Sequence, residues 1–458
     1  MKRNIFFCIT MTLIGLLFFP SFSRGEWKPL PDGKSGKTLR AAEKQAVDWL
    51  ITKMVPNSTV LDPAPDRRRL MLSYTIPEDD PVYPYLFSRS FTYDDAIGAI
   101  AFTMTENYRE AEFVLSALSR VIRSDGSFWF VYNTHNSWPN EDDHEGSMVR
   151  TGATAWAGYA FTFYLKTRIQ EDPFFLEEDP IAGEYLEKAE SIAGYMLDHR
   201  VSDASDMRNG LVTGGEGTYT LILHETDGRP MEQYDESSVS WVSTEHNIDS
   251  YFFLKDLALL TNKSEYKKAA QAIHDGLFRI WSDKYGQFYR GIRSNHIDKA
   301  LPLDCASWGA LFLFSAGDTK RANRCIETIR TNFFSEHHGI TGYKPYYRGP
   351  LYDDEGTNSY YSRRLGASRW KDIDLVWGEG SFGVASAQIK AGNPDAALTI
   401  LESLLPTQVD GGFRYSTAEI PYQFSTYPSV ASTAWFVITV ESLLDRQKNS
   451  LFWEGEIQ

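Results

Sequence analysis

TEHNIDSYFFLKDLALLTNKSEYKKAAQAIHDGLFRIWSDKYGQFYR, residues 244–290, is the stretch that decides the fold. From Glu245 to Leu260 it is apolar on nearly every side at helical spacing. Thr261-Asn262-Lys263-Ser264 then makes a polar turn. The second helix, EYKKAAQAIHDGLFRIW, alternates apolar and polar positions so that one face stays wet. A Gly-aromatic segment, YGQFYR at 285–290, closes the unit. A helix apolar all round must be surrounded, and an amphipathic one can lie outside it. So short a turn makes the two antiparallel neighbours.

The same order recurs on both sides. Tyr93 to Met104 is apolar, Glu106-Asn107 turns, Tyr108 to Arg123 is amphipathic, and DGSFWF follows at 125–130. Leu303 to Ala316, Gly317-Asp318, Thr319 to Phe333 and HGITGY at 338–343 repeat it. So do Glu379 to Ala391, Gly392-Asn393, Pro394 to Leu405 and DGGFRY at 410–415. Thr151 to Thr167 and Ile181 to Leu197 form a fifth pair with a longer link. Thr38 to Met54 is amphipathic with no partner before it, and Ser429 to Leu444 is apolar with none after it. Paired with each other, they close a ring. The expected fold is all-α: an (α/α)6 toroid of six helical hairpins, with short β segments in its rim loops.

The loops are asymmetric. Links from apolar to amphipathic helix are mostly two to four residues. The reverse links are long, at 55–92, 124–149, 200–243, 283–303, 333–376 and 406–427. All six long loops therefore emerge at one end, where the inner helices begin, and build a functional rim. No linker divides the chain, so residues 26–458 are expected to form one domain.

The start of the chain reads as a secretory signal over residues 1–25. Lys2 and Arg3 precede an apolar run from Ile5 to Phe19, Pro20 breaks it, and Ser21, Ser23 and Gly25 are small. The run is short for a membrane span. The expected location is secreted or periplasmic, with no stable membrane insertion once the leader is gone. The formal charge of −15 moves near −18 when Lys2, Arg3 and Arg24 leave with the leader. So acidic a chain repels phosphate backbones, which excludes nucleic acid as an expected partner. Cys305 and Cys325 remain, at unmatched heights of one hairpin, and there is no CxxC; neither a bridge nor a zinc site is expected. Arg67-Arg68-Arg69, the one basic run, reads as a solvated edge. Asp142, Asp143, His144 and Glu145 form an acidic loop, read as solvated, and no metal or other cofactor is expected.

Twelve alternating helices, loops biased to one end, and helix entries TYDDA, STEHNID and VWGEG resemble the six-hairpin glycosidase superfamily. The resemblance is architectural and spans nearly the whole chain beyond the leader. It implies action on a poly- or oligosaccharide. Glycoside hydrolysis needs two placed carboxylates, one to protonate the leaving oxygen and one to activate water or attack carbon. The inner helices begin with Tyr93-Asp94-Asp95, Arg150-Thr151, Glu245-His246-Asn247 and Asp249, Asp304, Trp377 and Glu379, and Ser429. Glu245 and Glu379 lead as catalytic candidates, with Asp95 and Asp304 next, on inner helices that face each other across the ring. The helix dipole alone also favours acids in a first turn. Tyr93, Asp94, Arg150, His246, Asp249, Trp377, Trp308 and Trp129 are the candidate substrate contacts.

Rim aromatics are dense, including Phe91, Phe128, Phe130, Trp138, Trp241, Tyr346 and Trp370, and rings stack on sugar faces. The expectation is a glycoside hydrolase that, by the resemblance, inverts. His135, His246, His296 and Arg150 keep a polysaccharide lyase open, and a glycan-binding protein without catalysis would keep the aromatics alone. A sugar epimerase is less compatible with export.

Overall fold

The computed structural model describes residues 34–136, 148–224 and 228–453. The leader, Trp138 and the acidic loop at 142–145 lie outside them. Twelve helices build the ring: α1 Lys34–Lys53, α2 Thr92–Met104, α3 Tyr108–Val121, α4 Thr151–Glu171, α5 Pro180–Asp198, α6 Thr244–Thr261, α7 Ser264–Leu277, α8 Asp304–Ser315, α9 Thr319–Asn332, α10 Gly378–Lys390, α11 Pro394–Leu404 and α12 Val430–Leu444. The even-numbered helices pack on one another in chain order, and α12 returns to α2. Each odd-numbered helix packs outside an even partner, with α1 against α12. This is the (α/α)6 toroid.

Burial follows the two sequence patterns. Every residue of α12 from Val430 to Leu443 is buried. In α9 only Ala322, Cys325, Thr328 and Ile329 are, at spacings that mark one helical face. The basal turns are made by local chemistry. Asn262 ends α6 in the left-handed region at φ 55, and its N–H donates to Ala258 O. Pro394 sits in the first turn of α11, where a missing N–H costs little. Asp318 caps α9 by accepting from Arg321 N.

The rim carries short antiparallel strands and one longer hairpin, β1 Gly215–Leu223 with β2 Pro230–Val239. A rim helix, Glu355–Leu365, packs against β1. The basic run is not a solvated edge throughout. Arg67 is buried with its guanidinium over the Tyr132 ring, and Arg69 lies over Phe113. Flat, weakly hydrated guanidinium groups stack well on rings, which overrides the usual preference for solvent. Cys305 and Cys325 are buried and free.

Two features close the base. The seam between α1 and α12 is tied by Arg40, which donates to Glu43 at 2.6 Å and to Glu441, while Lys448 Nζ reaches Glu441 at 2.8 Å. After α12, a short helix α13, Arg446–Leu451, turns the chain under the ring. Phe452 and Trp453 then plug it from below. Trp453 stacks on Phe252 with centroids 4.7 Å apart and meets Trp156, Trp308 and Trp435. Lys166 Nζ, fully buried, donates to Asp256 Oδ2 at 2.5 Å and to Leu451 O at 2.9 Å. Lys390 Nζ donates to Phe452 O at 2.9 Å.

Candidate active site

The rim ends of the inner helices surround a cavity of about 420 Å³. Four carboxylates from four helices line it: Asp94 of α2, Glu245 of α6, Asp304 of α8 and Glu379 of α10, with Asp249 one turn into α6. Tyr93, Arg150, His246 and Trp377 line it too. Most of the residues singled out from the sequence therefore meet in one place.

Three do not. Asp95 is fully buried in the first turn of α2, where it accepts from Met71 N at 2.7 Å and Ser90 Oγ at 2.7 Å. One residue along a helix is a rotation of about 100°, so Asp94 faces the cavity and its neighbour fastens a rim loop. Trp308 lies one turn below Asp304 in the aromatic floor, stacked on Trp435 at 5.8 Å. Trp129 lies under the Arg123 guanidinium, and the adjacent Phe130 reaches the cavity instead. Tyr74, Tyr415, Tyr422 and Phe424 also line the cavity. In the sequence, 410–415 reads only as a Gly-aromatic segment within the long rim loop 406–427. Its aromatic spacing, Tyr415, Tyr422, Phe424, was the signal available there.

Glu379 is oriented by a relay of two hydrogen bonds. Trp435 Nε1 donates to Tyr93 Oη at 2.6 Å, and Tyr93 Oη donates to Glu379 Oε1 at 2.6 Å. A donor relay thus fixes one carboxyl oxygen. The flanking glycines serve the framework. A Cβ on Gly380 would stand 2.2 Å from the Trp377 ring, and one on Gly378 would stand 2.6 Å from Arg414 O. Their lack of side chains lets Trp377 and the backbone at 414–415 press against the helix start.

Glu245 follows Ser243, which caps α6 by accepting from His246 N at 3.5 Å. His246 Nδ1 faces Thr151 Oγ1 at 3.2 Å, and its ring lies flat over Gly152, where a Cβ would approach to 2.4 Å. Arg150 uses Nη1 on the carbonyls of Val149, Glu216 and Gly217, which ties α4 to β1.

Burial controls the protonation of this group. Desolvation raises Glu245 to about 7. It raises Glu379 to about 8 against the Tyr93 bond, with Asp94 and Glu245 adding repulsion. Asp94 is likewise pushed up to about 8 by burial, with Asp95 adding to it. Asp249 and Asp304 are raised well above the carboxylate range, first by burial and then by the charge of Glu245. His246 moves the other way, to about 3, through burial and the Arg150 cation. Among the described residues, Asp249 Oδ1, Asp304 Oδ1 and Trp377 Nε1 are buried without a protein partner. Buried polar atoms of that kind cost free energy unless something pairs with them.

His135 is stacked on Phe87, and His296 bonds Asn295; neither lines the cavity. No group of His, Cys, Asp and Glu among the described residues could hold a metal ion. No described helix is long and apolar enough to cross a membrane.

No family model and no curated protein matches the sequence. Solved structures do. A D-mannose isomerase aligns over 90% of this chain and 99% of its own, at TM-score 0.57 and 11% identity. A GH76 α-mannanase of Bacteroides thetaiotaomicron aligns over 89% and 96%, at 0.52 and 9%. A glycosidase variant in complex with glucose aligns over 92% and 99%, at 0.56 and 10%. At such identities the likeness is one of fold, the (α/α)6 toroid of six helical hairpins. Isomerases and hydrolases share it, so fold alone does not select the chemistry.

Proposed function

We propose that the chain is a glycoside hydrolase acting on a poly- or oligosaccharide, with Glu379 as general acid and Glu245 as general base. The observation that carries this is the meeting of carboxyls from four inner helices at one cavity lined with aromatic rings. Burial raises Glu245 to about 7 and Glu379 to about 8. Burial first, and then the charge of Glu245, favours the protonated forms of Asp249, Asp304 and Glu379. A site with one ionised and one protonated carboxyl at neutral pH has what glycosidic cleavage requires. Glu379 gives its proton to the leaving oxygen while Glu245 takes one from water. Asp304 and Asp249, held neutral, offer O–H groups to sugar hydroxyls, and Tyr74, Tyr415, Tyr422 and Trp377 offer ring surface. α8 stands between the helices of Glu245 and Glu379. Inversion is proposed from the resemblance alone, and it needs a carboxyl separation of about 6.5–9.5 Å to admit water.

The same electrostatics disfavour the rival chemistries. Elimination or epimerisation through histidine wants a base near neutrality, and His246 is far too weak. We also propose export, on the strength of Lys2, Arg3 and the apolar run behind them.

The test is to incubate the protein with a polysaccharide panel and with free mannose and glucose. Reducing ends, unsaturated-uronate absorbance and ketose formation are followed, and NMR reports the anomer first released. Hydrolysis predicts reducing ends alone, and loss of at least about 10³-fold in kcat for Glu245→Gln and Glu379→Gln, on the scale of losing an acid or base. Unsaturated product or ketose, or near-normal activity in both variants, overturns the assignment.

A further inference from the structure

A second lobe of about 270 Å³ opens from the main cavity. Glu245, His246, Pro302, Asp304 and Tyr346 line both. The proposed base and the neutral Asp304 therefore stand at the junction, not at a dead end. Asp304 is only 9% exposed, and its Oδ1, with no protein partner, sits at this junction. That is where a ligand spanning both lobes would place a hydroxyl.

The outer wall of the lobe is charged but already neutralised. Arg290 donates from Nε and Nη2 to Asp298 Oδ2 at 3.0 and 2.8 Å, and from Nη2 to Asp353 at 3.2 Å. Arg293 also reaches Asp298, at 3.2 Å. A site for a sugar acid would present a free guanidinium edge to the carboxylate. Here Asp298 occupies that edge, and acids outnumber cations around the lobe. A paired Arg–Asp set still offers donors and acceptors side by side, which suits the vicinal hydroxyls of an uncharged sugar. Trp241 supplies a ring on the adjacent wall.

We propose that the side lobe is a subsite for an uncharged sugar unit, so that the substrate runs from the main cavity past Glu245 and Asp304 into the lobe, with its glycosidic bond on the main-cavity side of that junction, between Glu245 and Glu379. This rests on the hydrolase assignment above. It makes the substrate a neutral glycan of at least two residues, and it gives Trp241 and Asp353 the task of setting specificity.

The probes are gluco-, manno- and galacto-configured di- and trisaccharides, each beside a counterpart carrying a terminal uronate. Reducing-end release gives KM and kcat for wild type, Trp241→Ala and Asp353→Ala. Asp353 is 72% exposed at its side chain, so its variant leaves the fold intact, which a thermal midpoint checks. The expected result is cleavage of a neutral oligosaccharide with KM raised at least tenfold in Trp241→Ala and about threefold in Asp353→Ala, at little cost in kcat. The uronate counterpart should be cleaved at least tenfold less efficiently. Cleavage with KM unchanged in both variants, or equal use of the uronate, overturns the subsite and leaves the hydrolase assignment standing. No cleavage of any glycan, here or on the polysaccharide panel, overturns both.

Discussion

Replacing Glu379 by Gln should stabilise the protein by several kcal/mol at alkaline pH and by less than about 1 kcal/mol at pH 5. Glu379 is 7% exposed, and burial raises its proton affinity from 4.5 to about 8. Below pH 4.5 the folded and unfolded states both hold the proton, and the contribution to stability is fully present. Between 4.5 and 8 only the folded state keeps it, so stability falls with rising pH by about 1.4 kcal/mol per unit. Above pH 8 the folded state must carry a buried anion. The total loss across that window is roughly 4–5 kcal/mol. Glutamine does not titrate and matches the protonated acid in shape, still accepting from Tyr93 Oη. The other buried acids titrate in both proteins and cancel to first order. Urea unfolding followed by tryptophan fluorescence at pH 5 and pH 8.5 reads the difference. The variant should lie within about 1 kcal/mol of wild type at pH 5 and gain several kcal/mol at pH 8.5. An equal difference at both values, or a less stable variant at pH 8.5, would show that Glu379 does not carry a raised proton affinity in the fold.

Tyr93→Phe removes a bond that lowers Glu379, so the alkaline limb of the pH–rate profile should move to higher pH while kcat falls. Histidine NMR from pH 8 to pH 5 should show no titration at His246, because its folded value lies near 3; a midpoint close to 6.5 would contradict the site electrostatics. Lys166→Met strands the buried Asp256 carboxylate and should cost about 3–5 kcal/mol in thermal or denaturant unfolding, whereas Met together with Asp256→Leu should recover most of that. Trp453→Ala opens a large hole in the floor and should cost about 3–5 kcal/mol on the same assay.

The ring was legible because two independent patterns agree on it. Helix polarity separates inner from outer, and loop length says which end is the rim. The choice between Asp94 and Asp95 was not legible. A helix buried on all sides has no wet face to report its rotation, so sequence cannot say which of two adjacent acids points inward. Trp308 failed for a related reason: being one turn below an entry residue puts a ring in the floor instead of the wall. The glycines around Glu379 make room for the neighbouring Trp377 ring and for the backbone at Arg414, the second a contact set by a residue distant in sequence. The Phe452–Trp453 plug went unread because a two-residue aromatic pair after a short helix has no periodicity to detect.

The seam between α1 and α12 has a consequence for how the molecule is made. In a growing chain, α1 is the first ring helix to emerge, and its partner is the last. Until then its apolar side, with Leu39, Ala46 and Leu50, has no finished surface to cover it. Closure joins segments at nearly the greatest sequence separation the ring allows, and such contacts form late and slowly. An open ring missing that last joint exposes sticky helix faces, so the interval before closure is when aggregation competes with folding. A circular permutant that joins the chain after Trp453 to α1 keeps the plug, brings α12 and α1 close in sequence, and should fold faster to the same ring.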